Sequence, residues 1–403
     1  MYVFEEHYKC CGCESCKCSC PVKAITMRED EFGFRYPYID ETVCINCGLC
    51  IKVCGFNSKV GSTNKISSYA AVARDEKISK HSSSGGVFAV VAQKVLREGG
   101  HVVGCALIHE SEHLIPKHII VSSLDDLLQL SGSKYVQSFL GDIFTNVQEL
   151  LRNGDKVLFT GTPCQIAGLY GFLGKEYNNL TTIDLICHGT PNWKIFDAYL
   201  KFKEKALHRK IIEVCFRDRE IGWGKIGYFG YRDAKGRYRK KDLNGNESSY
   251  YSFFNEGELC RPSCYECPYA SELRPADITL GDFWGIQKVH PDLLKKNGGK
   301  MNEKKGISCI VTNTERGDNL INLCKKDLYI EESKYKNIAI YNEQLCCPPR
   351  HSSLREEIID TFIKKGYKGV DDLFIKREGI NLLKIKLKNN FSHIKRCLRK
   401  LRA

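Results

Sequence analysis

The chain has 403 residues, 22 of them cysteine, and a formal net charge of +13, enough length for two or three domains with cores of their own. Ten of the cysteines crowd into residues 10–54, which excludes the stapled scaffold of a small secreted domain and leaves thiolates free as metal ligands. The charge excludes a nucleic-acid enzyme by its placement: Lys384, Lys386, Lys388, Lys395, Arg396, Arg399, Lys400 and Arg402 supply +8 of the +13 within the acid-free residues 381–403, leaving +5 for the other 380 residues.

Met1–Lys9 (MYVFEEHYK) holds no apolar signal region, and no stretch reaches the roughly 18 apolar residues of a membrane span. A reducing cytoplasm is the expected compartment. Cys10, Cys13, Cys16 and Cys20 then follow the spacing C-x2-C-x2-C-x3-C, with Pro21 after them. Cys44, Cys47, Cys50 and Cys54 repeat it, with Gly55 where proline would stand. In this bacterial dicluster ferredoxin pattern the fourth cysteine of each run ligates the other run's cluster. One 4Fe–4S cluster is therefore assigned to Cys10, Cys13, Cys16 and Cys54, and the other to Cys44, Cys47, Cys50 and Cys20. Paired zinc hooks fit a strict eight-cysteine repeat poorly. Cys11 and Cys18 read as bystanders, and Phe34–Tyr38 as the short hairpin joining the runs.

From about Tyr69 strands and helices alternate. Strands are expected at Ala70–Ala73, His101–Ile108, Lys156–Thr160 and Thr182–Ile186. Helices are expected over Gly85–Arg97, Leu140–Leu151, Gln165–Leu173 and Trp193–Lys205. Such alternation predicts an α/β domain on a mainly parallel sheet. A β-rich insertion follows (Val214–Arg217, Lys225–Tyr231, a turn at Asp233–Gly236), then a last strand, Gly306–Thr312, and a helix over Glu315–Lys326. Residues 331–370 carry no interpretable motif.

Four strand-end loops stand where open α/β sheets place ligands. Ser82–Gly86 precedes a helix whose free N–H groups suit phosphate. Ser131–Tyr135 carries Lys134, within reach of an anionic cofactor. Thr160–Gln165 and Asp184–Pro191 each run from strand into helix, and His188 in the latter is a candidate proton donor, or a histidine that fixes its loop. A third cysteine group, Cys260, Cys264 and Cys267, needs a fourth ligand from elsewhere. Cys187 is favoured over Cys164 because glycine adjoins it, and structural zinc is the competing reading. Asp277, Asp282 and Trp284 either contact a ligand or pin a turn. No G-x-G-x-x-G follows a strand, so direct NAD use is not expected.

Together these loops resemble the family of coenzyme F420 hydrogenase/dehydrogenase beta subunits. The resemblance rests on SSSGGVF (Ser82–Phe88), SGSKYVQS (Ser131–Ser138), FTGTPCQIAGL (Phe159–Leu169) and DLICHGTP (Asp184–Pro191). FRDR with GW (Phe216–Trp223), CRPSCYECPY (Cys260–Tyr269), ADITLGDFWG (Ala276–Gly285) and GISCIVTNTERG (Gly306–Gly317) extend it. It implies an N-terminal ferredoxin (residues 1–62) and a flavin-binding portion (66–145). A catalytic portion with a third 4Fe–4S cluster (150–328) and an extension (329–403) follow. FAD is the implied cofactor and coenzyme F420 a further candidate. Ser84, Gly85, Gly86, Lys134, Thr160, Thr162 and Gln165 would line the flavin site, with Lys134 and His188 the catalytic candidates. Bacterial relatives of this type accompany surface-polysaccharide biosynthesis genes. The expected function is an oxidoreductase exchanging electrons with a ferredoxin or another redox partner and an unidentified two-electron substrate. The alternative is an electron-transfer subunit that feeds a partner enzyme.

Apolar Ile380, Leu383, Leu387, Phe391, Ile394, Leu398 and Leu401 recur at helical spacing opposite a basic face. Such a helix over residues 380–402 suits an anionic membrane surface, at the inner face of the membrane, or an acidic partner.

Overall fold

The computed structural model describes the backbone of residues 1–400 and the side chains of residues 1–379. The apolar stripe and basic face expected over 380–402 lie outside the described side chains. Each N-terminal cysteine run passes through a left-handed residue, Glu14 (φ 59°) or Gly48 (φ 69°), into a one-turn helix, α1 (Ser15–Ser19) or α2 (Leu49–Lys52). Between them β1 (Ile25–Glu29) and β2 (Arg35–Ile39) pair antiparallel, Ile25 opposite Ile39. Phe34–Tyr38 is thus essentially the second strand of the hairpin, not the whole of it. Asp30 Oδ1 closes the turn by accepting from the Gly33 and Phe34 N–H groups at 2.7 and 2.8 Å.

The body is built on β3 (Ser67–Ala73), β4 (His101–Glu110), β5 (His113–Val121), β6 (Val157–Gly161), β7 (Leu180–Leu185), β11 (Ile278–Asp282), β12 (Ser308–Thr312) and β13 (Leu328–Ser333). Their order is β13-β3-β12-β11-β7-β6-β4-β5. A separate three-stranded sheet, β8 (Ile211–Cys215), β9 (Ile226–Arg232) and β10 (Tyr238–Asn244), is inserted between β7 and β11. The strands β4, β6, β7 and β11 run parallel and form the centre; the flanking strands pair antiparallel.

Both faces of that centre are covered, which is why β6 reads as an unbroken apolar run. On one face α4 (Val87–Arg97) and α10 (Glu315–Cys324) bury Val87, Val91, Val95 and Ile321 against Val102, Leu158 and Ile183. On the other, α5 (Ile143–Arg152) and α6 (Pro163–Leu173) set Phe144, Val147, Ile166 and Leu169 against Val103, Val157 and Phe159. Adjacent residues of β4 and of β6 thus serve opposite cores, as the pleat requires. A third, aromatic core joins α7 (Trp193–Leu207), α8 (Ser249–Asn255) and the first turns of α12 (Ser353–Lys400) through Tyr199, Tyr250, Phe253 and Tyr367, with Phe34 and Tyr36 of the hairpin packed into it.

Gly306–Thr312 is not the last strand. The chain continues into β13, paired with β3 from Leu328↔Ala73 to Ser333↔Ser68. The segment without motif therefore supplies the sheet edge, the short α11 (Tyr335–Ala339) and the start of α12. Two further short helices are α3 (Glu76–Lys80) and α9 (Ile286–Val289). Among the described residues no helix is long and apolar enough to cross a membrane.

Candidate functional site

The structure gathers Cys10, Cys13, Cys16 and Cys54 around one cavity of about 460 Å³. Cys20, Cys44 and Cys50 pack together beside Cys16, Val3, Ile25 and Ile39, and Cys47 is exposed at the outer edge. Backbone N–H groups already point at sulfur in both halves: Gly12 N to Cys10 Sγ at 3.3 Å, Asn46 N to Cys44 Sγ at 3.4 Å and Ala24 N to Cys20 Sγ at 3.2 Å. Such donors stabilise negative sulfur and fit iron–sulfur ligation. The N-terminal module seats on α6 by backbone proximity. A Cβ on Gly55 would stand 1.9 Å from the Ala167 carbonyl oxygen, and one on Gly168 would stand 2.7 Å from Cys13 Sγ. The missing proline after the second run is thereby explained: only glycine lets α6 lie there.

The third group closes at the other end of α6. Gly189 sits at φ +94° with its α-carbon face turned to Cys260, so that a Cβ would come 2.3 Å from Cys260 Sγ. Cys187, Cys260, Cys264 and Cys267 form one electrostatic neighbourhood. Burial, with the adjoining thiols, pushes Cys264 up to about 11, and Cys187 and Cys260 well above the usual thiol range. A metal cation held there would invert that penalty, because a cation favours thiolate. Cys164 lies between the two sites. Cys11 and Cys13 are buried in one cluster with Cys164 packed against it, and the adjoining Cys11 thiol holds Cys164 below the usual thiol range. Cys164 in turn is felt by Cys187, Cys264 and Cys267. Cys11 is therefore a bridging thiol, whereas Cys18 only donates to the Gly141 carbonyl at 3.3 Å.

Arg261, 1% exposed, stitches this region together. It donates to Cys10 O at 2.6 Å, Arg35 O at 2.7 Å and Gln137 Oε1 at 3.1 Å, with its guanidinium over the Tyr36 ring.

At the carboxyl edge of the parallel strands the loops enclose a cleft of about 450 Å³, within the range of small-molecule and cofactor sites. Ser84, Gly86, Lys134, Thr160, Thr162, Gln165 and His188 line it, together with Cys164 and Cys187. Gly85 is the exception. Its N–H donates to Ser308 Oγ at 2.9 Å, and a Cβ would stand 2.3 Å from Ala71 O, so it serves the seating of α4 on β3 and β12. Thr162 and Gln165 form a capping box on α6, Thr162 N donating to Gln165 Oε1 at 2.9 Å. Lys134 Nζ donates to Ser131 O at 2.7 Å and Gln129 O at 3.2 Å, and loss of water draws its pKa down to about 8. His188 Nε2 donates to Asn255 O at 2.7 Å, which fixes its loop at the cleft wall.

The three residues left open by the sequence divide. Asp277 is buried and pins β7 to α10, accepting from Thr182 N, Thr182 Oγ1 and Thr314 Oγ1 at 2.8, 2.9 and 2.6 Å. Asp282 and Trp284 line the cleft. Asp282 holds Arg217 through both carboxylate oxygens and accepts from Trp223 Nε1 at 2.8 Å, while Trp223 stacks on Trp284 at 4.6 Å.

Sequence reasoning missed His118. It lines the cleft as a buried side chain, donating from Nε2 to Thr160 O at 3.0 Å and accepting at Nδ1 from Ser138 Oγ at 2.9 Å. Ser138 accepts from Gln165 Nε2 at 2.9 Å. The chain of bonds has one consistent polarity with neutral imidazole, and desolvation holds His118 near 4. Thr160, Gln165 and Ser138 all stood inside loops marked by the sequence, but nothing near His118 tied it to them.

Comparison with known proteins follows the same layout. A 4Fe–4S dicluster domain model matches residues 9–58. Models of the coenzyme F420 hydrogenase/dehydrogenase beta subunit match residues 68–143 (N-terminal part) and 154–338 (C terminus). An F420H2 dehydrogenase subunit of Methanosarcina mazei is 21% identical over 168 residues, 40% of this chain and 47% of that protein. The coenzyme F420-dependent sulfite reductase of Methanocaldococcus jannaschii is 29% identical over 190 residues, 45% of this chain and 28% of that protein. The chain thus spans about half the length of the first relative and about a quarter of the second. An uncharacterized protein of M. jannaschii is 26% identical over 72% of this chain and 84% of its own length. A chain of the F420-reducing NiFe hydrogenase complex from Methanosarcina barkeri superposes with a TM-score of 0.42 at 17% identity, covering 78% of this chain and 93% of its own. With both parts of the beta-subunit model matched in order behind a dicluster domain, the chain belongs to the family of coenzyme F420 hydrogenase/dehydrogenase beta subunits.

Proposed function

We propose that this protein is an iron–sulfur flavoprotein oxidoreductase. In it, single electrons pass between the N-terminal clusters, a third cluster and a flavin-holding cleft where a two-electron substrate reacts. One observation carries the reading: Cys164 packs against the buried cluster that holds Cys11 and Cys13 and also lines the cleft with Cys187. The three sites would then adjoin. Cys10, Cys13, Cys16 and Cys54 would hold one cluster, Cys20, Cys44, Cys47 and Cys50 the second, and Cys187, Cys260, Cys264 and Cys267 the third. FAD in the cleft would supply the exchange between hydride and single electrons.

The chain's own residues do the rest. Ser84 and Gly86 present the start of α4, and the His118–Ser138–Gln165–Thr162 network holds the opposite loop rigid. Lys134 supplies a cation that exchanges its proton near pH 8. The names of the relatives make coenzyme F420 a candidate two-electron carrier, and the dicluster module makes a ferredoxin or another one-electron carrier a candidate redox partner. We place the protein in the reducing cytoplasm, with residues 380–402 available to an anionic membrane surface or acidic partner.

Anaerobic purification with iron, sulfide and flavin counts tests the reading: about twelve iron atoms and about one flavin per chain are expected. About eight iron atoms and no flavin would overturn it. The second reading, a subunit that wires electrons to a partner enzyme, is favoured by the outer face of the module, where Ile45 and Ile51 are 60% and 58% exposed beside exposed Cys47. Absence of turnover with reduced ferredoxin and candidate acceptors, in protein holding flavin, would select it.

A further inference from the structure

Beyond the Lys134 wall lies a smaller chamber of about 160 Å³ that shares Ser131–Lys134 and Arg217 with the cleft. Most of its cations are matched. Lys80 pairs with Glu220 at 3.2 Å, Lys240 faces Asp218 at 3.9 Å, and Arg217 is held by Asp282. Arg219 differs. It lines the chamber at 9% exposure, its Nη1 donates to Ser79 O at 2.9 Å, and its Nε is buried with no hydrogen-bond partner. The carboxylate that acts on it, Glu76, is engaged by Lys305 at 3.1 Å. Of the three carboxylates on the chamber wall, Glu220 and Asp218 are the partners of Lys80 and Lys240, and Glu213 already accepts from the Tyr228 and Tyr238 hydroxyls at 2.7 and 2.5 Å.

A buried guanidinium whose nearest acting carboxylate is already engaged by a lysine, and which keeps an idle N–H, is costly unless a ligand completes it. The planar fork suits two oxygens of one oxyanion, and Lys134 adds a point charge on the shared wall. We propose that this chamber is an anion subsite, in which Arg219 and Lys134 receive a phosphate or carboxylate group of a ligand extending from the cleft. Which ligand bears that group rests on the reading of the cleft as a cofactor pocket; recognition of the anion rests on the chamber alone.

The test is calorimetric titration of the anaerobically purified holoprotein with inorganic phosphate and, separately, with acetate. Saturable binding of one of them is expected, phosphate alone assigning a phosphate group and acetate alone a carboxylate. Arg219→Gln should weaken that binding roughly tenfold or more, and Arg219→Lys by a smaller factor of about three. Lys156→Gln, on the far surface, should leave it unchanged. Iron content of each sample reports folding; if Arg219→Gln loses its iron, Arg219→Lys decides, and unchanged affinity in it overturns the proposal. Failure of both anions to saturate, or wild-type binding by Arg219→Gln, also overturns it. Flavin content of the same samples reports separately on the cleft.

Discussion

Replacing Gly189 by alanine puts the third cluster to a direct test. The residue sits at φ +94°, and the new Cβ would lie 2.3 Å from Cys260 Sγ and 3.1 Å from Cys260 Cβ. Ordinary contact is about 3.7 Å, so the sulfur must retreat by roughly 1.4 Å. Metal–ligand distances tolerate only about 0.2 Å, and the displaced thiol leaves three ligands where four are needed. Left-handed strain of about 1–2 kcal/mol and overpacking of about 1–3 kcal/mol together cost roughly 2–5 kcal/mol. A stable domain survives a loss at the lower end of that range. Iron should fall from about twelve to about eight atoms per chain, four for the lost cubane. The assay is iron and sulfide determination with electron paramagnetic resonance of the reduced protein, in which the N-terminal signals should persist. A folded variant with its full iron and all three signals would refute the assignment of Cys260 and the role given to Gly189.

Gly55→Ala should unseat the N-terminal module, because its Cβ would stand 1.9 Å from Ala167 O; limited proteolysis between residues 58 and 66 should quicken, and an unchanged digest would contradict the packing. His118 titrates near 4 when folded against 6.5 for an ordinary imidazole, so the unfolded chain binds the extra proton between those values. Stability should fall as pH drops through this window, by roughly 3 kcal/mol at about 1.4 kcal/mol per pKa unit. Urea unfolding across pH should show a slope shallower by about one proton in His118→Phe, and an identical slope would sink the argument. Arg274→Met strands Asp184, whose carboxylate is fully buried and bonded to Arg274 at 2.6 Å. Thermal or denaturant unfolding should register a loss of about 3–5 kcal/mol, and a smaller one when Asp184→Asn accompanies it.

What could be read from the sequence was whatever chemistry writes locally. Two cysteine runs at fixed spacing announce the dicluster domain, and alternating strands and helices announce the parallel centre of the sheet. Loops at the ends of β6 and β7 were found because glycine, proline and cysteine mark them. Pairing over long separations leaves no such mark: β3 lies between β12 and β13, partnered with Thr312 and Leu328 at residues 67 and 73, and nothing near either strand names the other. Asp277 and Asp282 look alike in sequence, yet one pins a helix and the other faces the cleft. Gly85 and Gly86 are adjacent, and only Gly86 lines the cleft. His118 and Arg261 act in part through backbone carbonyl groups far along the chain (Thr160, Cys10 and Arg35), which carry no residue identity.

Arg261 has one more implication, for the order of assembly. It stands between Cys260 and Pro262, inside the third cysteine motif, and its guanidinium grips the backbone of Cys10 and of Arg35 in the N-terminal module. Cys13 and Cys16 are 7% and 8% exposed once that module is seated. Clusters held by these thiols would therefore have to be loaded before the arginine closes, and the same side chain ties the third cysteine group to the N-terminal module. Maturation of the two halves would then be coupled.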